Sequence, residues 1–511
     1  MLVIVTPVLG YLAYLAVSGT YFYRFLEGSG PVLVSEDPKK QLLFSLIVAA
    51  VVFVLGFAWK GLFEAREKRT AKGVLFFSSA AMLLLGIVFL MHHPYYMIGD
   101  QLNTFYGGVY AAGDDPEIRY LMFMPGGYLG IYPQQKGLVF IYMNLYHIFG
   151  DRLFTVMKWF HLVYPQMILY AGYGVLEEDG INAFSRSLYC ILIAACLPLY
   201  LYLPYMYGDL GTVAFCFGMT YFAIRFMRTR KIWFFIPMCL CSAMAIILRM
   251  QSWIFMIAIA IVLLLLSISN KRAIFVVAAL LILTSAYSGS YLIEKHFDRV
   301  SGYGSVEGVP AIAWVAMGLQ TTNGDPGVYN RYNQGTFEST DFDADKTAAI
   351  AKEDARESFK YLMKNFSSEG REFFVTKLRQ EWTNPDFGGY FETSGDWSKL
   401  SGNSPEDAPE WLHSLYYGEY YDLAMKQANR YQSFVHVICF ALALMMLFKR
   451  DKSVPFTVQL SFIYVIGGFI FFLFWENKSR YILPFFVTLI WVTPVIFSEI
   501  FGYMERQKKR L

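Results

Sequence analysis

Apolar runs of about 20 residues, separated by short polar turns, make up most of the chain, and a helix of that length is what crosses the hydrocarbon core of a bilayer. Twelve such runs are predicted, at roughly 1–23, 41–59, 74–91, 153–175, 187–204, 210–227, 232–249, 253–269, 273–293, 432–448, 455–474 and 481–501. Two polar regions, 92–152 and 294–431, interrupt the series. Between Gly137 and Gly150 the pattern turns apolar again, but the stretch is short and carries Asn144 and His147. It is predicted to be a helix lying along the membrane interface. Leu102–Ala112 is a weaker candidate for a second one, because Gly107 and Gly108 lower its helix propensity.

The second polar region is too long to be a connector and should fold. Its first part, Ser301–Gly335, reads as ordered loop around the apolar decad PAIAWVAMGL, Pro310–Leu319. Asp343–Asn365 and Glu369–Trp382 read as amphipathic helices, the first opening with acids that suit a helix N-terminus. Proline, glycine and serine break the pattern between Asn384 and Pro409, and a last helix, Glu410–Gln432, leads into the next apolar run. The run at Met1–Phe22 lacks a basic leader and a small-residue cleavage site, so it reads as a retained span.

Composition sharpens this to an all-α polytopic membrane protein: 56% of the 511 residues are hydrophobic and 16% charged, against roughly 25% charged in soluble domains. Net charge of +3 reports little, whereas its placement sets orientation. Lys60, Arg66, Lys68, Arg69 and Lys72 form one cluster. Arg225, Arg228, Arg230 and Lys231 form the next, followed by Lys271 and Arg272, then Lys449, Arg450 and Lys452, then Arg506, Lys508, Lys509 and Arg510. With twelve spans all five fall on one face, which places both termini in the cytoplasm and regions 92–152 and 294–431 outside. A thirteenth crossing at 137–150 would split them. The six cysteines lie in apolar runs, so neither a disulfide framework nor a metal-thiolate site is expected. Basic charge confined to short loops does not suggest nucleic-acid binding.

Asp100 follows soon after the run ending at Met91, with Tyr95, Tyr96 and Gln101 nearby. A carboxylate near the low-dielectric boundary suits a base acting on a lipid-linked substrate, although a loop acid is otherwise simply solvated. Nucleotide-binding and soluble-hydrolase fingerprints are missing. Four further stretches face the same side. In Ile131–Gly137, IYPQQKG, the residues Gln134, Gln135 and Lys136 offer hydrogen bonds and a cation, or plain turn chemistry. Asp209 sits beside two tyrosines in the turn PYMYGD. Arg249, near Gln251, is either a phosphate ligand or a snorkelling arginine. In FWENKSRYILP, Glu476 and Arg480 are four apart and pair if helical; Arg480 is the best candidate to grip a phosphate with its planar fork. His92 and His93 are adjacent and point apart on a helix, so a metal site there is not expected.

The D-Q pair at Asp100–Gln101, YPQQ at Tyr132–Gln135, a helix closing in FGD with Arg152, W-x-x-M-G-L at Trp314–Leu319, G-x-Y-N at Gly327–Asn330 and E-x-x-x-R-Y at Glu476–Tyr481 together resemble the C-type glycosyltransferase superfamily. These polytopic enzymes use polyprenyl-phosphate sugars; protein O-mannosyltransferases and the aminoarabinose transferase of lipid A are among them, and the closest likeness is to uncharacterised Gram-positive bacterial members. The likeness runs from about Val74 to Pro484. It departs at the start, where two spans precede the one leading into the catalytic loop, and in the second loop acid, for which Asp114, Asp115 and Glu117 all stand open.

The resemblance implies inverting transfer of a sugar from a polyprenyl-phosphate donor to an acceptor hydroxyl on a glycan, lipid or protein, on the extracytoplasmic face of a bacterial cell membrane. Asp100 is then the general base, and the leaving phosphate is met by Arg480, Arg249 and Lys136. Gln101, Tyr132, Gln134, Gln135, Asp209, Glu476 and Tyr481 complete the substrate contacts. No cofactor is expected and the metal requirement is open. The implied organisation is two N-terminal spans (1–73), a catalytic membrane core (74–294) containing the loop 92–152, an external region (295–431) and three C-terminal spans (432–511). The rival readings are a polymerase or ligase of lipid-linked glycans and a secondary transporter. The second should show two repeated halves with polar breaks, which the sequence lacks.

Overall fold

The computed structural model describes the chain except residues 24–30, 36, 95–96, 114–115, 303–305, 395–407, 450–452 and 509–511. Among the described residues seven helices are long and apolar enough to cross a membrane: Pro38–Phe63, Glu67–His92, Asp209–Thr229, Met250–Asn270, Ile274–Val300, Glu419–Phe448 and Ser479–Lys508. Leu2–Ser18, Ile232–Leu248 and Phe456–Phe472 are apolar helices of 17 residues each. Two predicted runs are broken helices. Leu153–Phe160 gives way to Val163–Glu178, and Ala183–Ala194 to Leu197–Leu201, where Pro198 cannot continue the hydrogen-bond ladder.

The first run ends as a helix at Ser18. Thr20-Tyr21-Phe22-Tyr23 is β-branched and aromatic, which favours an extended chain. Gly19–Tyr23 pairs antiparallel with Pro31–Ser35, Gly19 opposite Ser35. This hairpin rests on the helix Arg371–Trp382: the Thr20 hydroxyl donates to the Thr383 carbonyl, and Arg379 donates to Ser18 Oγ at 2.9 Å.

Leu483–Val492 is buried at every position, as expected of a helix apolar on all sides. Tyr464 stacks on Phe485 with centroids 4.0 Å apart, and Trp491 donates to the Gly172 carbonyl at 3.0 Å. The 3-10 turn Ser479–Ile482 sits directly on this core helix, so Arg480 stands on the most enclosed element of the bundle. Conversely, Pro38–Phe63 and Glu67–His92 keep Leu46, Val54, Phe76, Phe77 and Leu84 exposed. Apolar surface on that scale fits contact with lipid.

Ion pairs gather several basic clusters at the end of the bundle away from Asp100. Lys60 meets Glu505, Lys449 meets Glu499 at 2.9 Å, and Arg225 and Arg228 meet Glu178 at 2.7 and 2.6 Å.

At the other end, Lys136–Phe149 is the predicted short helix, and Asp100–Ala112 is a full helix despite its glycines. A Cβ on Gly108 would lie 2.3 Å from Tyr142 Cβ and 2.8 Å from the Met143 nitrogen, so the glycine allows the two helices to touch. The second polar region includes the helices Ala311–Gly318, Tyr332–Ser339, Ala344–Lys364 and Arg371–Trp382, the last two joined by a π-turn at Phe366–Gly370. Asp343 caps its helix by accepting from the Lys346 backbone N–H at 3.0 Å. Two expectations need correction here. The stretch after Asn384 contains a short helix, Gly389–Ser394, and the helix expected over 410–432 stops at Tyr417, restarts at Glu419 and continues unbroken to Phe448.

Candidate functional site

Gly99 has φ +55°, a left-handed conformation that suits glycine, and the chain turns there so that Asp100 opens its helix. The Asp100 side chain remains 40% exposed, yet both oxygens are held. Tyr128 donates to Oδ1 at 3.1 Å and Arg480 Nη2 approaches Oδ2 at 3.3 Å. A carboxylate has about four lone-pair directions, so two remain for an incoming hydroxyl. Burial, then Tyr207 and Asp100, push the Tyr128 hydroxyl well above its ordinary range, which keeps it a donor.

Arg480 is only 3% exposed. Its Nη1 meets Glu392 Oε1 at 3.1 Å and the Tyr205 hydroxyl, and its guanidinium lies 5.2, 5.4 and 5.8 Å from the Tyr207, Tyr481 and Tyr205 rings. Lys478 Nζ reaches the same Glu392 oxygen at 3.3 Å. Two carboxylates and two cations thus alternate as Asp100, Arg480, Glu392, Lys478. Burial alone would raise the Glu392 carboxyl, but Arg480 and Lys478 outweigh it and hold the group below the ordinary glutamate value.

This chain of charges lines a cavity of about 570 Å³, with Tyr128, Tyr132, Gln134, Gln135, Tyr207, Arg249, Trp314, Tyr329, Glu476 and Tyr481 in its walls. A second space of about 380 Å³ adjoins it, walled mainly by Leu248, Met250, Trp253, Ile254, Val309, Phe471, Phe472 and Trp475. Gln134, Gln135, Arg249, Trp314 and Tyr481 belong to both. A polar chamber and an apolar groove therefore meet at Arg249, whose guanidinium lies 4.6 Å from the Tyr207 ring and 3.4 Å from Asp209. Trp314 and Trp475 stack nearly parallel, centroids 5.8 Å apart.

The sequence motifs meet beneath the chamber. A Cβ on Gly318 would lie 2.3 Å from the Phe474 carbonyl, so only glycine lets these two segments approach. The buried Lys377 ammonium donates to the Gly318 and Trp475 carbonyls at 2.6 and 2.5 Å. Asn477 donates its backbone N–H to Gly327 and its side chain to Pro326 and Gln380.

Tyr132, Gln134, Gln135, Arg249, Glu476, Arg480 and Tyr481 share the chamber with Asp100. Four expectations change. Arg480 pairs with Asp100 and Glu392 instead of Glu476, because the chain is extended at Lys478 (φ −153°) and no helix places 476 over 480; Glu476 accepts from Tyr481 at 3.0 Å. Lys136 points away from the chamber toward Asp298, at 3.7 Å. Asp209 is buried behind Arg249 and does not line the chamber. Gln101 is also buried, donating to the Glu392 carbonyl at 3.2 Å and accepting from the Met206 N–H at 3.0 Å, so it fixes the walls. Tyr95, Tyr96, Asp114 and Asp115 lie outside the described residues, while Glu117 is exposed on the helix Pro116–Phe123. His92 and His93 bond separately, to the Val88 carbonyl and Tyr416, and no metal-binding cluster occurs among the described residues.

Sequence reasoning missed Glu392 and Tyr128 and singled out no role for Lys478, Tyr329, Tyr205 or Tyr207. Lys478 and Tyr329 stood inside quoted motifs, and Tyr205 and Tyr207 precede Asp209 in the turn PYMYGD. Glu392 gave no signal, being one of several acids in a stretch dominated by helix breakers.

The fold and site define an integral membrane protein with a polar chamber at one end. Residues 192–500, more than half of the chain, match the model of a family described as conserved hypothetical integral membrane proteins, and the chain belongs to that family. No curated protein matches it.

Proposed function

We propose that the protein transfers a sugar from a polyprenyl-phosphate donor to an acceptor hydroxyl, with inversion and with Asp100 as general base. The observation that carries this reading is the junction at Arg249: a chamber with an oriented carboxylate opens directly into an apolar groove. A lipid-linked sugar has those two halves joined by a phosphate.

In this reading the polyprenyl chain lies along Trp253, Ile254, Phe471, Phe472 and Trp475, and the phosphate reaches Arg249. The sugar enters the chamber. Asp100 takes the proton of the acceptor hydroxyl as its oxygen attacks the anomeric carbon, and the bond from that carbon to the phosphate oxygen breaks with oxocarbenium character. The products are the glycoside and the polyprenyl phosphate, which leaves charged and is stabilised by Arg249. Arg480, committed to two carboxylates, is a positioning residue for Asp100 in this scheme. Lys136 takes no part in it.

The membrane arrangement proposed is twelve crossings of the C-type glycosyltransferase kind, comprising the seven long helices, the three of 17 residues and two composite spans at 153–178 and 183–201. A 17-residue helix is about 26 Å long, close to the hydrocarbon thickness. The basic end is then cytoplasmic and the chamber extracytoplasmic, in a bacterial cell membrane.

The test is release of polyprenyl phosphate from synthetic short-chain polyprenyl-phosphate hexoses by the purified protein, with cell-envelope extract supplying acceptors. Consumption of one donor with an inverted anomeric product supports the reading. If a panel of hexose and aminosugar donors is neither bound nor consumed, the reading falls.

A further inference from the structure

Lys136 is 5% exposed, yet its ammonium has one charged neighbour among the described residues, Asp298 Oδ1 at 3.7 Å, beyond hydrogen-bonding reach. Asp298 is claimed from the other side by Lys295, at 3.0 Å to Oδ2, and its Oδ1 has no hydrogen-bond partner. A buried ammonium with three donors and no hydrogen bond among the described residues is costly unless something else accepts from it.

Lys136 lines a separate pocket of about 250 Å³, together with Gln134, Met250, Ser290, Ile293 and Glu294. The pocket is tightly walled at its base, where a Cβ on Gly137 would lie 2.1 Å from the Ile247 carbonyl.

Depth identifies what fills it. The helix Ile274–Val300 has 27 residues, about 40 Å at 1.5 Å per residue, so it outlasts a hydrocarbon core of about 30 Å by its last two turns. Counting from its basic end, those turns begin near Ile293. Tyr287, Tyr291 and Leu292 are exposed just before them, the two tyrosines stacked 5.8 Å apart, as rings at a headgroup boundary are placed. Lys136 and Lys295 therefore stand at the level of lipid phosphates. The acids facing them are Asp298, already shared between the two lysines, and Glu294, exposed at the rim and able to turn to water.

The geometry points to a binding site for the phosphodiester of a membrane-lipid headgroup, held by Lys136 in the pocket that Met250 and Ser290 help to line. Its acyl chains lie against the exposed face of Ile274–Val300. The site is distinct from the Asp100 chamber and stands whether or not Asp100 moves a sugar. One residue, Gln134, belongs to both and to the apolar groove, so a lipid held here abuts the site.

Lipid binding to the purified full chain in detergent, measured by native mass spectrometry with a thermal melt, tests it. Phosphatidylglycerol binds the wild type and raises its melting temperature, while diacylglycerol, which lacks the phosphate, does neither. Lys136→Gln weakens binding by about 10- to 100-fold, the loss of one charge-assisted hydrogen bond, and Lys136→Arg restores most of it. Ser290→Trp, which fills the pocket without touching charge, also abolishes binding and decides the matter if Lys136→Gln does not fold. Inorganic phosphate binds at least tenfold more weakly than phosphatidylglycerol if the ligand is a lipid; equal affinity overturns the lipid assignment. Undiminished phosphatidylglycerol binding in folded Ser290→Trp, or equal binding of diacylglycerol, overturns the site. Asp100→Asn keeps wild-type lipid binding, so failure of the transfer reading and failure of this one are separable.

Discussion

Arg480 Nη2 lies 3.3 Å from Asp100 Oδ2, which joins the last core helix of the bundle to the first residue of the helix after the third long apolar run. The guanidinium is nearly inaccessible and the carboxylate is not. The arginine is thus a fixed reference against which an exposed acid is aimed, and three tyrosine rings and Glu392 hold that reference in place.

Arg480→Ala leaves Asp100 and Glu392 without their shared partner. Breaking a buried charge pair typically destabilises by about 3–5 kcal/mol, so the melting temperature should drop clearly, and the turnover of surviving protein should drop with it. Arg480→Lys should recover part of the stability, because an ammonium cannot serve Glu392 and Asp100 in the same fork. Among the folded variants kcat should fall more than donor KM rises. A variant that melts normally and raises only donor KM would return Arg480 to the role of phosphate ligand.

Arg249 should show the opposite split. Arg249→Ala removes the cation where chamber and groove meet, and truncating one partner of a buried charge-assisted pair costs about 2–5 kcal/mol. Donor KM should rise strongly while acceptor KM stays near its original value. Asp209→Asn, which loosens Arg249 without removing it, should give a smaller effect of the same kind. Steady-state kinetics with donor and acceptor varied separately distinguishes these outcomes.

The helical membrane class and the place of Asp100 just beyond an apolar run were readable because run length and an acid beside a run's end are local features. Six further chamber residues named from motifs, and Arg249 from its place at the end of an apolar run, were legible on the same local grounds. What failed depends on backbone geometry that spacing does not reveal. Glu476 and Arg480 are four apart, but that separation means contact only on a helix, and the chain there is extended. Lys136 follows Gln134 and Gln135 directly, yet they sit in the 3-10 turn while it opens the next helix and faces Asp298. Glu392 was invisible because its partners, Arg480 and Lys478, lie far along the chain, and only the folded form brings them within 3.1 and 3.3 Å.

Glu392 gives a pH prediction. Its folded-state pKa lies below the ordinary value of 4.5, so the folded form binds the proton less readily than the unfolded chain. Its contribution to stability is therefore fully present above pH 4.5 and lost as pH falls through the folded value. Glu392→Gln should lower the melting temperature at neutral pH, and the gap from wild type should close as pH drops below 4.5. A gap that stays constant across that range would mean the carboxylate's charge is not what Arg480 and Lys478 hold.

Asp100→Asn tests the chemical step itself. The amide keeps the size of the side chain and can still accept from Tyr128, so the helix start at Gly99 and the chamber wall should persist, and a melt should show little change. It cannot take a proton from the acceptor, and transfer should fall by about 10² to 10⁴ fold, the usual contribution of general base catalysis. Donor binding should remain, since Arg249 and the apolar groove are untouched. Asp100→Glu should also be poor: one added methylene shifts the carboxylate by about 1 Å, and a displacement of that size can cost about 100-fold. Tyr128→Phe frees Oδ1 without removing the base, so its loss should be smaller than that of Asp100→Asn and should be accompanied by an altered pH profile. If Asp100→Asn is folded and transfers normally, the base must be another acid facing the chamber. Glu392 is then the first to replace, because it is the only other carboxylate that Arg480 touches among the described residues.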